Sequence, residues 1–178
     1  MIQMKYFLKF SLLILAIVLL SCNRQADAIE AQKSELIFPK GDKVTNNNFT
    51  GTVWVQMHVN KDSIYNASIG SVTFEPGART NWHYHPGGQI LLVTAGLGHY
   101  QEKGKSVQLL HKGDVVKCPP NIEHWHGASP DSSMTHIAIG PNLQKGSVVW
   151  LQPVTDEEYI IRKKDKGKNT EHSVLSKF

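Results

Sequence analysis

Two closely spaced histidine pairs hold most of the chemistry this sequence can perform. In His83-Tyr84-His85 the imidazoles are two residues apart, so on an extended segment both leave the same face and can converge on one point. Converging imidazoles are half of a metal site. Pro86-Gly87-Gly88 then turns the backbone, and Gln89 brings an amide oxygen to the start of the next strand-like run. Further along, His124-Trp125-His126 repeats the two-residue spacing after Pro119-Pro120-Asn121, which offers a nitrogen ligand from a second segment. His126 shares a face with His124, where it can act as an acid or base or orient a ligand. His136 lies opposite in parity to Ile137 and Ile139, leaving a cavity-facing and a solvent-facing position both open. His58 shares a face with Trp54 and Gln56, while His99, His111 and His172 fall in turns or the tail and are expected in water. Nine histidines in 178 residues is about twice an ordinary share, so metal chemistry is the first to consider.

The elements that must position these groups are short and extended. Val53–Val59 alternates, and Ala67–Phe74, Gln89–Thr94, Val107–Leu110, Asp114–Lys117 and Thr135–Ile139 follow at close spacing. Between them stand turn sequences such as Glu75-Pro76-Gly77, Lys103-Gly104-Lys105, Lys112-Gly113-Asp114 and Ser129-Pro130-Asp131. Short strands separated by such turns predict an all-β sandwich or barrel. After Trp150, Thr155 is followed by Asp156-Glu157-Glu158, which predicts a short N-capped helix. The run Arg162 to Lys168 is a basic tail, read as solvated, with attraction to anionic lipid as the alternative.

With these residues in place, the chain resembles the cupin superfamily. From Gly77 it reads glycine, five residues, His83, one residue, His85, three residues, Gln89, six residues, Gly96. That is the first cupin motif with glutamine where glutamate is usual. From Gly113 it reads five residues, Pro119, one residue, Asn121, two residues, His124, which resembles the second motif with asparagine in place of its glycine and Ala128 in place of its final asparagine. The resemblance covers Phe49 to Thr155 and is nearest to small single-domain bacterial cupins of the second type, including manganese-dependent hydroxynitrile lyases. It implies a single cupin barrel, a double-stranded β-helix or jelly roll, followed by a short C-terminal helix. It also implies one divalent transition metal, manganese first and iron, cobalt, nickel or zinc as alternatives, held by His83, His85, Gln89 and His124. A homodimer or higher homo-oligomer is the family-like expectation.

Three imidazoles and an amide are all neutral, so a bound ion would keep its full charge and act as a strong Lewis acid. The first reading is therefore a metal-dependent lyase for a small hydroxyl- or carbonyl-bearing compound, with His126 or His136 as the catalytic proton carrier. An Fe(II) dioxygenase is a second reading, and a cupin lipoprotein that binds a small ligand without turnover is a third. Trp54, Trp82 and Trp125 can line a pocket or belong to the core. Cys118, between Lys117 and Pro119-Pro120, reads as a small buried filler and not a nucleophile.

The N-terminus reads as an address. Lys5 and Lys9 precede the apolar run Phe10 to Leu20, which is too short for a comfortable span of the ~30 Å hydrocarbon core. It ends in Leu19-Leu20-Ser21-Cys22, which looks like a bacterial lipobox, so Cys22 is expected to carry lipid and to hold an exported protein on a membrane, on the periplasmic side. The expected organisation is a lipoprotein signal over 1–21, a flexible tether over 22–48, a cupin domain over 49–155, and a short helix with basic tail over 156–178. Using Cys22 for lipid leaves Cys118 alone, so no intrachain disulfide is expected. The formal charge of +4 is too small for a nucleic-acid footprint, and the expected partner is a small molecule.

Overall fold

The computed structural model describes residues 36–159; the expected leader, Cys22, the first part of the expected tether and the basic run from Arg162 lie outside them. The described chain is almost entirely β. Its strands are β1 (Asp42–Lys43), β2 (Phe49–Thr50), β3 (Val53–Asp62), β4 (Ala67–Phe74), β5 (Arg79–Thr80), β6 (His83–Tyr84), β7 (Gln89–Glu102), β8 (Gln108–His111), β9 (Val115–Cys118), β10 (His124–Ala128), β11 (Met134–Gly140) and β12 (Val149–Trp150). A four-residue helix, α1 (Asp156–Tyr159), closes the described chain. The strands form one curled antiparallel sheet in the order β1-β3-β4-β11-β7-β10-β5-β2, with β8 and β9 also on β7, and β6 between β10 and β12. This is an all-β barrel with a short C-terminal helix, as the resemblance implies.

Alternation sorts the side chains. Val53 faces Phe74, Met134 faces Phe74, and Leu91 faces Val116 across their ladders, so these residues share the inner face. With Ala78, Val93, Tyr100, Leu110, Cys118 and Ala128 they make the barrel core. A second cluster of Trp82, Trp125, Val154 and Tyr159 lies under the C-terminal segment. Trp82 and Trp125 are each one residue out of phase with the site histidines, and so belong to this outer core.

β7 is much longer than the Gln89–Thr94 run predicts, because the chain passes through Gly96 and Gly98 without leaving the sheet. Its first half pairs with β11 and β9, and its second half with β10 and β8. Gly96, at φ 75°, makes the crossing possible: a Cβ there would strike the Ser133 carbonyl, and the adjoining register shift lies at Thr135/His136. The extra length corrects His99. It is 5% exposed within β7, beside Trp125 and Tyr159, and not in a solvated turn.

In the stretch expected as a tether, β1 pairs with β3, Asp42 opposite Val55 and Lys43 opposite Trp54. Gly41, in the left-handed region, lets this segment lie against the Val55 backbone. At the other end the predicted cap is formed: the Glu158 amide donates to Thr155 Oγ1 at 3.2 Å, and the Thr155 amide donates to Glu158 Oε2 at 2.9 Å. Arg79 fastens this end, donating to the Val154 carbonyl at 3.0 Å and to Asp156 at 2.6 Å. The Tyr159 hydroxyl donates to the Ala128 carbonyl at 2.8 Å.

Candidate metal centre

The ladder brings the two histidine pairs together. His124 in β10 stands opposite His83 in β6, so the two imidazoles project from one face with ring centroids 4.3 Å apart. His85 follows on the same parity. One ring nitrogen from each of His83, His85 and His124 lies within 4.8 Å of the others. The turn after His85 is closed by hydrogen bonds from the Gly88 and Asn121 amides to the His85 carbonyl, both 3.0 Å, which lock the first segment to the second. Asn121 sits at φ 61°, a left-handed position that asparagine tolerates better than other non-glycine residues; this is why it can replace the glycine of the usual motif.

The hydrogen bonds set the tautomers. His83 Nδ1 donates to the Asn81 carbonyl at 2.9 Å, and His124 Nδ1 donates to the Ile122 carbonyl at 2.8 Å. Each neutral ring then presents the lone pair of Nε2 to the interior. His124 Nε2 meets Gln89 Oε1 at 3.2 Å, so two acceptors face each other. His85 Nε2 is buried and has no partner among the described residues. A set of buried acceptors with no donor between them asks for a cation, and these donor types fit a divalent metal of the first transition row.

Beside this cluster lies a second imidazole pair. His126 and His136 are fully inside the barrel, 3% and 0% exposed, with His136 Nε2 3.2 Å from His126 Nδ1. Parity and structure agree for His126, and His136 takes the cavity-facing of its two open positions. Phe74 packs against both rings, with centroids 5.7 and 5.6 Å away. The His126 amide donates to Thr80 Oγ1 at 3.1 Å, which fixes the strand at that point. His126 Nε2 and His136 Nδ1 have no partner among the described residues. One N–H therefore lies between the rings; the donating ring's other nitrogen is a bare acceptor, and the accepting ring's other nitrogen carries that ring's own proton.

All five imidazoles are held neutral. Burial, with the neighbouring imidazoles, pushes His83 and His126 well below the usual histidine range. Burial brings His85 and His136 down to about 4, and lowers His124 as well. Neutral rings keep their lone pairs, as metal ligation and proton uptake both require.

Several interior groups were not singled out in the sequence. Tyr100 and Glu102 stand opposite His126 and His124 on β7. The Tyr100 hydroxyl donates to Glu102 Oε1 at 3.4 Å, and Glu102 also pairs with Lys105. Trp150, opposite His83 in β12, covers that ring at 4.9 Å. Strand alternation would have flagged Tyr100 and Glu102 had β7 been carried past Gly96. Cys118 faces Gln89 across the ladder, and burial pushes its thiol up to about 12, in keeping with a filler. His58 lies apart from the centre, outside the barrel, paired with Ser71 Oγ at 2.8 Å. His111 is exposed beside Asp114, and His172 lies outside the described residues.

Comparison with known proteins adds to this geometry. Residues 70–140 match the cupin domain family Cupin_2. An (R)-mandelonitrile lyase of Granulicella tundricola is 50% identical over 111 residues, which is 62% of this chain and 85% of that protein. A crystal structure of a cupin-like protein from Thermotoga maritima is 52% identical, with a TM-score of 0.69 over 70% of this chain and 95% of its own. A cupin-2 domain from Rhodospirillum rubrum, at 17% identity and a TM-score of 0.53, covers 70% of this chain and 82% of its own and shares the fold alone.

Proposed function

This chain belongs to the cupin family, and from that premise we propose that it is a metal-dependent lyase that breaks or makes a carbon–carbon bond beside the oxygen-bearing carbon of a small molecule. The observation that carries the reading is the His126–His136 pair set beside three imidazoles that converge on one point. The lyase likeness of the 50% identical relative supports it, and an aromatic cyanohydrin is the first substrate class to try.

His83, His85, His124 and Gln89 would hold the ion, with manganese the first candidate among manganese, iron, cobalt, nickel and zinc. A divalent ion in that place supplies Lewis-acid chemistry, drawing electron density from a hydroxyl or carbonyl oxygen. The protein's own groups do the rest. His126, with Nδ1–H donating to His136, presents a bare Nε2 that takes the substrate's hydroxyl proton. The oxygen's electron pair forms the carbonyl, and the carbon–carbon pair leaves with the departing group, cyanide from a cyanohydrin. That group takes the proton back from Nε2 and leaves as HCN. His136 accepts the Nδ1–H bond and so steadies the imidazolium that forms. Phe74 and the buried strand walls keep bulk water from the pair, which strengthens every charge interaction there. In the reverse direction His126 returns the proton to the carbonyl oxygen as the new bond closes.

Elemental analysis and a cyanohydrin-cleavage assay on the same preparation test the reading. About one equivalent of a transition metal, lost together with turnover in the His83→Ala/His85→Ala double variant, is the expected result. No bound metal and no uptake on reconstitution would overturn it, and oxygen consumption with an iron-loaded protein would replace it with the dioxygenase. From the Leu19-Leu20-Ser21-Cys22 sequence we also propose that lipid on Cys22 holds the domain at a membrane surface on the periplasmic side.

A further inference from the structure

Of the large apolar side chains exposed to water, the three most exposed lie toward one end of the described fold, while Val115 and Leu109 are exposed on β9 and β8. Ile64 and Tyr65, in the turn between β3 and β4, are 85% and 79% exposed, and Ile37 is 65% exposed. The turn is firmly built: Asp62 Oδ1 accepts from the Ile64 and Tyr65 amides, each at 2.8 Å, and Lys61 and Asn66 take left-handed conformations at φ 45° and 52°. A turn held this way fixes the backbone at Ile64 and Tyr65, and both side chains stand out in water.

The start of the described chain arrives at the same end. β1 runs antiparallel to β3, with Asp42 at Val55 and Lys43 at Trp54. Residues before Asp42 therefore run along β3 toward the hairpin, and the Phe38 ring lies 4.1 Å from His58. Thirteen residues separate Cys22 from Leu36, a reach of at most about 45 Å. The hairpin end is thus the end that receives the connector from the expected lipid attachment.

We propose that the hairpin tip, Ile64 and Tyr65, flanked by Ile37 and Phe38, rests in the headgroup region of a lipid bilayer. The inference goes beyond the catalytic reading and rests on the proposed placement of lipid at Cys22. An aliphatic beside a tyrosine suits that boundary, because the ring has an apolar body and a polar end. Exposed Lys61 and Lys145 flank the tip, the latter brought there by the bond from the Leu143 amide to the Asn66 carbonyl at 3.1 Å. Both suit anionic headgroups. With the lipid holding the domain close, the tip needs only a small affinity of its own, since its local concentration is high.

The test uses the full chain purified from bacterial membranes and reconstituted in phosphatidylethanolamine–phosphatidylglycerol vesicles. Tyr65→Trp adds one indole at the tip, and Leu109→Trp, at an exposed residue of β8, serves as the control. Brominated lipid is expected to quench the added tip fluorescence by half or more, with iodide having little effect, and the reverse for the control. Quenching of the tip by iodide but not by lipid overturns the proposal. Protection from both quenchers means that a second copy of the chain covers the tip, and overturns it equally. The mass of the N-terminal peptide reads the Cys22 lipid separately. Lipid without tip quenching defeats the docking alone, and no lipid on Cys22 defeats the placement on which the docking rests.

Discussion

His126 is joined to His136 on one side of its ring and open to the interior on the other, and that asymmetry decides what its loss should do. His126→Ala removes the open nitrogen but none of the four proposed ligands. Bound metal per chain should stay unchanged while kcat falls about 100-fold or more; elemental analysis beside steady-state kinetics checks this. Glu102 stands opposite His124 and brings a carboxylate to the neutral ligand set. Glu102→Gln should weaken divalent-metal binding roughly 10-fold, read by titration calorimetry. The neutral imidazoles also set a pH dependence for the metal-free chain. In the unfolded chain histidine takes up protons near pH 6.5, whereas His85 and His136 resist until about 4. The unfolded state therefore binds more protons in that window, and stability should fall as pH drops from about 6.5 to about 4. Urea midpoints measured across that range would show it, and a flat profile would contradict it.

The strands explain which of these residues could be read from the sequence. His83, His85 and His124 were legible because His124 and His126 lie on β10, and His83 and His85 on β6 and the residue that follows it, so alternation brings each pair to one face. Gln89 was legible through its place at the head of β7. The facing of His136 was not, since a strand buried on both sides carries apolar residues at either parity, and only its partners Val72 and Val93 decide which side is inward. His99 was misplaced for a related reason: Gly96 and Gly98 read as a break, yet in β7 they permit close passage of neighbouring backbone. Trp82 and Trp125 alternate with ligand residues, so their outer packing follows once the ligands point inward, but the C-terminal cover that buries them is invisible to local pattern. Gly96→Ala tests the crossing directly. The left-handed φ and the Ser133 carbonyl in the way predict a loss of at least about 2 kcal/mol, measurable by denaturant unfolding. A variant as stable as the parent would show that β7 does not need glycine there.

At the scale of the whole molecule, β7 is the member both halves of the curled sheet have in common. Residues 89–92 lie against β9, 90–96 against β11, 97–100 against β8 and 98–102 against β10. If β7 leaves, each half loses the ladders that join it to the other. Heating should accordingly give one calorimetric transition, with equal van't Hoff and calorimetric enthalpies; two resolved transitions would show that the halves melt apart. The same sharing bears on how long the interior stays closed. Amide protons along the middle of β7 can be replaced by deuterium only when the whole domain opens, so their exchange times count global openings. An ion held from the head of that strand would share the same clock, its escape no faster than those openings permit unless the barrel mouth releases it first.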